Sequence, residues 1–194
     1  MNLRAALIVA ALALSSAASV SRATVPADTL KALNRATRDS ALAVAALPRI
    51  REWATKAETA DERRQMLWTL QGALLTSHGP ADELVSTVDS LARRTPDPIS
   101  RAMLLERAGG ALVDRGERLD AARRYIEAAL VAAEGNPDLH DVTLGSTLSL
   151  RSRLQWTAGA LDSAVATMER AVAVNREDQF PVMRKLRLEL AALY

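Results

Sequence analysis

From Ala27 onward, apolar and small residues return every three or four positions, the period of a helix with one buried face. The pattern is clearest from Arg101 to Pro137. Leu105, Ala108, Gly109 and Leu112 share one face, Gly116 interrupts where a tight turn is needed, and Ala121, Tyr125 and Ala128 resume the spacing until Gly135-Asn136-Pro137 ends it. This predicts a helix, a short turn and a second helix. The same skeleton stands upstream at Trp68, Gly72 and Leu75, with Gly79 seven residues after Gly72, then Leu84, Val88, Leu91 and a closing Pro96. A third copy runs through Leu148, Ser152, Gly159, Ala164, Met168 and Ala171. There Ser152 replaces the glycine, and Arg151 and Gln155 stand where an apolar residue is usual, which puts the packing of that helix in question.

The flanks are less regular. Leu30, Leu33, Ala36, Ala41, Val44 and Leu47 keep helical spacing, with Pro26-Ala27-Asp28 as a helix start. Pro48 predicts a break, and Ile50 to Ala57 a second short helix around Trp53. This pair has no turn glycine and reads as a degenerate hairpin or an N-terminal cap. At the other end, Val182, Leu186, Leu188, Leu190, Ala191, Leu193 and Tyr194 read as the start of a further first helix beginning near Pro181. Its leucines surround much of the circumference, which is too apolar for a solvent-facing cap. Such a segment packs back on the third hairpin, packs on another subunit, or is the front part of a longer protein. The resulting division is 1–23, 24–60 and 61–194, the last holding hairpins at about 61–97, 99–137 and 139–177 and an incomplete fourth at 180–194.

The interval set is a small residue, a turn glycine seven on, an alanine five beyond, an aromatic or large residue four further and an alanine three further. It resembles the tetratricopeptide repeat over Asp61 to Glu177. The copies lie 37 residues apart (Gly72 to Gly109) and then 43 (Gly109 to Ser152), against about 34 in the standard repeat. The longer spacing is similar to the long-helix variety found in kinesin light chains. The resemblance implies an all-α, right-handed α-solenoid of stacked antiparallel hairpins, because one hairpin cannot bury both its apolar sides alone. It also implies an inner groove, built from the first helices, that takes an extended peptide or another protein's helix. The residues expected off the packing face of those helices are Met66, Thr69, Ala73, Met103, Glu106, Arg107, Gly110, Asp114, Ser149, Arg153 and Trp156. Chaperone-binding members of the family clamp a peptide's terminal carboxylate with Lys, Asn and Arg at places that here hold Thr69, Ala73, Arg107, Ser146 and Leu150. Of these only Arg107 suits the task, which disfavours that function.

Composition narrows the class. The chain of 194 residues is 49% hydrophobic but only 3% aromatic, and runs of β-branched and aromatic residues that build strands are absent. It has no cysteine, which excludes disulfides, thiolate metal sites and a lipidated N-terminal Cys within these residues. Residues 1–23 have the three parts of a secretory signal peptide: basic Arg4, an apolar run from Ala5 to Leu14, then small residues with cleavage fitting after Ala18 or Ala23. The run is too short for a comfortable membrane span, so no stable membrane insertion is expected after cleavage. Export places the remaining chain in a periplasm or outside the cell. The formal charge of +2 owes itself to Arg4 and Arg22; without residues 1–23 the chain has 23 basic and 23 acidic residues. A neutral chain of interspersed signs has no electrostatic footprint for nucleic acid.

No residue set carries a recognisable chemistry. His78 and His140 are the only histidines; Asp82 lies four after His78 but Gly79-Pro80 between them disfavours a shared helical face, and His140, beside Asp138 and Asp141, sits in a predicted loop with no second histidine. No GxSxG elbow, SxxK pair or phosphate loop occurs. The basic doublets Arg63-Arg64, Arg93-Arg94 and Arg123-Arg124 read as solvated helix faces. The expectation is therefore a non-enzymatic exported scaffold, without catalytic residue, cofactor or metal, that binds a protein or peptide. The competing expectation is the recognition region of a larger exported enzyme or sensor, such as a thiol-disulfide oxidoreductase or a signalling protein. Homo-oligomerisation through the C-terminal helix is a third. The native protein recovered from an envelope fraction is expected to have the intact mass of residues 19–194 or 24–194. A retained Met1 would remove the export reading, and a much larger mass would favour the recognition-region reading.

Overall fold

The computed structural model describes residues 25–137, 143–174 and 187–192, so the expected signal peptide lies outside the described residues. Every regular element among them is helical. The chain divides into two compact units, one ending at Arg94 and the other starting at Thr95.

The first unit holds α1 (Ala27–Ala36), α2 (Ser40–Lys56), α3 (Ala60–Thr76) and α4 (Ala81–Arg94). The expected break at Pro48 is not where the chain turns. It turns at Thr37–Asp39, where Asp39 caps α2 by accepting the Leu42 N–H at 3.0 Å. The helix then runs through Pro48. The N–H that proline lacks would have gone to the carbonyl of Val44, and Val44 is exposed, so water can satisfy that carbonyl. A capping box of Thr59 and Glu62 starts α3. This helix packs on α1, α2 and α4, burying Met66, Leu70, Ala73 and Leu74 in several directions. Ladders fix the registers. Thr69 Oγ1 donates to Asn34 Oδ1 at 2.8 Å, 35 residues away, joining α3 to α1, and the Arg51 guanidinium grips both oxygens of Glu83 at 2.6 Å, 32 residues away, joining α2 to α4.

The second unit holds α5 (Pro98–Arg115), α6 (Leu119–Glu134), α7 (Gly145–Thr157) and α8 (Leu161–Val174), followed by a short helical stretch at 187–191. Asp97 caps α5, with Pro98 in its first turn. Here α7 is the inner helix, packed on α5, α6 and α8. Ala102, Leu130, Ala133, Leu144, Leu148, Met168 and Ala171 form one buried cluster, with Leu190 packed against it. The question raised by the third copy is answered locally. Ser152 is fully buried and its hydroxyl donates to the Ala164 carbonyl at 2.6 Å, while Arg151 reaches out to Glu127 at 3.3 Å.

The hairpin turns share one bonding pattern and differ in residue. The N–H groups of Gly79, Glu117 and Ala160 each reach back five residues, to the carbonyls of Leu74, Leu112 and Gln155 at 2.9, 3.1 and 2.9 Å, as in a Schellman motif. The left-handed residue before each is Gly116 (φ 66°) and Gly159 (φ 77°) in two turns but His78 (φ 52°) in the first. Gly79 serves another need there: a Cβ on it would lie 2.6 Å from Leu74 Cδ2.

The equivalent small residues are likewise not interchangeable. A Cβ at Gly109 would sit 2.9 Å from Ile126 Cγ1, whereas one at Gly72 would meet Thr37 at an ordinary 3.6 Å. Gly109→Ala is therefore expected to lower unfolding free energy by about 1–3 kcal/mol through overpacking. Gly72→Ala is expected to raise it by about 0.5–1 kcal/mol through reduced backbone entropy of the unfolded chain. Equal losses for both in urea unfolding would contradict this packing.

Candidate functional site

The most structured surface on which the sequence-expected residues meet is the α5/α7 face of the second unit. Three contacts hold these helices side by side and pointing the same way. Ser146 Oγ donates to Glu106 Oε1 at 2.7 Å, Leu150 fills the space in front of Gly110 (3.3 Å to a Cβ built there), and Arg153 pairs with Asp114 at 2.7 Å. The partners are 40, 40 and 39 residues apart. The spacing along α5, four residues per step, is the helical repeat that puts successive side chains on one stripe. From Glu106 to Asp114 the contacts run along roughly 12 Å of helix.

The polar members of this stripe mostly satisfy one another. What remains open to solvent is Met103 in the second turn of α5, Arg107 one turn later, and Trp156 in the last turn of α7. Met103 is 46% and Trp156 43% exposed, and Arg107 is exposed, its side chain without a hydrogen bond or ion pair to any described residue. An exposed thioether, guanidinium and indole offer apolar contact area, a bidentate donor and a flat ring, the side-chain types that dominate protein interfaces.

The other expected residues are placed differently. Met66, Thr69 and Ala73 belong to the first unit and are buried, at 0, 3 and 0% exposure. They lie on α3, which packs against α1, α2 and α4, and Thr69 is bonded to Asn34 of α1. Gly110 is buried under Leu150. Ser149 is buried at 5% and donates to Glu189 Oε2 at 2.6 Å, 40 residues on. A buried side chain presents no surface to a partner, so these five are corrected to packing positions. Sequence periodicity missed this because it identifies the stripe facing one neighbour and says nothing of a second or third neighbour.

Other candidate groups lie elsewhere. His78 is exposed in the α3–α4 turn, and His140 lies outside the described residues. The groups with displaced protonation also sit off this face. Lys56, then Arg49, hold the Glu52 carboxyl below its usual range. Ser100 does the same for Asp97, and Arg118 for Asp120. An open groove of about 790 Å³ runs between the start of α5 and the end of α6, lined by Pro98, Leu105, Ala128 and Val131 among others, with Val131 69% exposed. Among the described residues no three His, Asp or Glu side chains gather as a metal site, and no helix is long and apolar enough to cross a membrane.

No family model, no curated protein and no solved structure matches this chain.

The Ser149–Glu189 bond makes one measurable claim about how the α7 face is covered. Ser149→Ala is expected to cost about 1 kcal/mol of local stability. Amide exchange at 187–192 should accelerate roughly fivefold, while exchange in α5 and α6 is unchanged. Unaltered exchange at 187–192 would show that the bond does not hold the segment.

Proposed function

We propose that this chain is an exported, non-catalytic scaffold whose α5/α7 face binds a protein or peptide partner in the cell envelope. In this reading the helices are hairpins of a right-handed solenoid of the tetratricopeptide type. The registers within each unit support it. First helices pair at 35 residues in one unit and 40 in the other, through Asn34–Thr69 and Glu106–Ser146. Second helices pair at 32 and 36, through Arg51–Glu83 and Glu134–Arg170. Like helices paired at offsets of one repeat length, 32 to 40 residues, are what stacked repeats produce. The extra residues of the second unit enter between α6 and α7, which accounts for the longer 43-residue sequence interval.

The observation that carries the functional reading is the contrast on the α5/α7 face. Its internal polar groups are paired, while Met103, Arg107 and Trp156 are exposed and make no side-chain polar contact with a described residue. A partner segment that covers Met103 and Trp156 gains about 25 cal/mol for each Å² of apolar surface removed from water. A carboxylate or backbone carbonyl of the same segment would satisfy Arg107.

Site-specific photocrosslinking in the native envelope tests this. A photoreactive residue at Met103 or Trp156 is expected to give the same crosslinked partner, and one at Val44, equally exposed in the first unit, is expected not to. Adding Arg107→Glu should weaken the crosslink at least about tenfold, the scale of a lost charge-assisted hydrogen bond with repulsion in its place. Identical patterns from all three positions, or insensitivity to Arg107→Glu, would reject the face as the binding site.

A further inference from the structure

The register between α5 and α7 sets how far apart the exposed groups of that face lie. Glu106 stands beside Ser146, Gly110 under Leu150 and Asp114 against Arg153. At the last of these offsets Trp156 is level with Glu117, 14 positions on from Met103. With a rise of 1.5 Å per residue, Met103 and Trp156 are rooted about 21 Å apart along the helix axis. Neighbouring helix axes are about 8–10 Å apart, which makes the separation about 23 Å in all. Arg107 lies one turn, about 6 Å, from Met103 on the same stripe. The ground between the two ends is polar and already paired, through Glu106–Ser146 and Asp114–Arg153, with Leu150 half-buried between those pairs.

We infer that the partner segment is extended and carries two apolar side chains about six residues apart, with an acidic one about two residues in from the end seated on Met103. This rests on the α5/α7 face being the binding site. An extended chain advances about 3.3 Å per residue. Six residues then cover about 20 Å, and the length of the Met103 and Trp156 side chains makes up the difference. Two residues cover about 6.6 Å, the step from Met103 to Arg107. Side chains of a strand alternate between faces, so only even intervals aim all three at the helices. The Arg107 guanidinium is the charge complement of the acid. A helical segment fits less well. It needs about 14 residues to join the two ends, and its apolar stripe recurs every three or four positions. That stripe would lie on the Glu106–Ser146 and Asp114–Arg153 pairs and strip water from them. An extended segment sets backbone N–H groups and small or polar side chains over the same pairs, where the exposed Asp114 carboxylate can accept.

The test uses four fluorescent synthetic peptides and the purified full chain. The first contains Leu-Ser-Glu-Ser-Ser-Ser-Leu, the inferred spacing. The second, of equal length, brings its leucines to three apart. The third has Gln in place of Glu, and the fourth is a helix-forming peptide with the same acid and leucines at helical spacing. Affinity is read by fluorescence anisotropy on the unaltered chain, and position by photocrosslinking from a photoreactive residue at Met103 or Trp156. The first peptide is expected to crosslink at both positions and to bind about tenfold tighter than the second, which fills one anchor point only. It should bind about fivefold tighter than the third. That difference should vanish in Arg107→Gln, whose melting temperature is expected to be unchanged because the Arg107 side chain has no partner among the described residues. Affinity independent of the interval, a preference for the helical peptide, or a Glu-to-Gln difference that survives Arg107→Gln would overturn the inference. So would the absence of binding by every peptide. If Met103 and Trp156 then still capture one partner in the native envelope, the face stands as the binding site and only the spacing falls.

Discussion

Each unit depends on one helix that is covered from three sides. In the first it is α3, against α1, α2 and α4, and in the second it is α7, against α5, α6 and α8. A helix in that position is buried over most of its circumference. Met66, Thr69, Leu70, Gln71, Ala73 and Leu74 are all buried on α3, as are Thr147, Leu148, Ser149, Ser152 and Leu154 on α7. Each buried leucine or methionine contributes about 1.5–3 kcal/mol of transfer free energy, so these helices concentrate much of the stabilisation of their units. The buried hydroxyls are accommodated because each finds an acceptor, Thr69 at Asn34, Thr147 at the Thr143 carbonyl and Ser152 at the Ala164 carbonyl.

Close approach around those central helices is achieved by different means at formally equivalent positions. Gly109 lets Ile126 of α6 come within a distance that a Cβ would forbid, Gly72 could carry a Cβ at ordinary contact with Thr37, and Ser152 fits a side chain there by bonding its hydroxyl to the Ala164 carbonyl. The turns show the same economy. All three close with a bond reaching back five residues, yet the left-handed residue is glycine in two and His78 in the first. Histidine tolerates that region better than branched residues do. The adjacent glycine is retained there for contact with Leu74 and not for its backbone angle.

The same packing decides which surface stays open to solvent. On the α5/α7 face most polar groups are engaged with one another, and the exposed remainder is mixed: the Met103 thioether, the Trp156 indole and the Arg107 guanidinium, which has no partner among the described residues. The proposed partner for a surface of that kind is an extended segment with apolar side chains and one acceptor.

Helix content and the positions of most helices follow from the sequence alone, because the 3.6-residue period, the Pro and Gly punctuation and the caps are local. The α5–α6 hairpin, bounded by Pro98, Gly116 and Gly135, was legible nearly residue by residue. Pro48 misled, because a proline whose missing bond faces water bends a helix more cheaply than it ends one, while the Asp39 cap was a quieter signal for the real boundary. The candidate surface was legible only in part. Met103, Arg107 and Trp156 lie open, but Met66, Thr69, Ala73, Gly110 and Ser149, read from the same stripe, are buried. Periodicity reports one buried face per helix. Whether the remaining faces are covered depends on neighbours 32 to 40 residues away in sequence, and those contacts exist only once the helices are stacked.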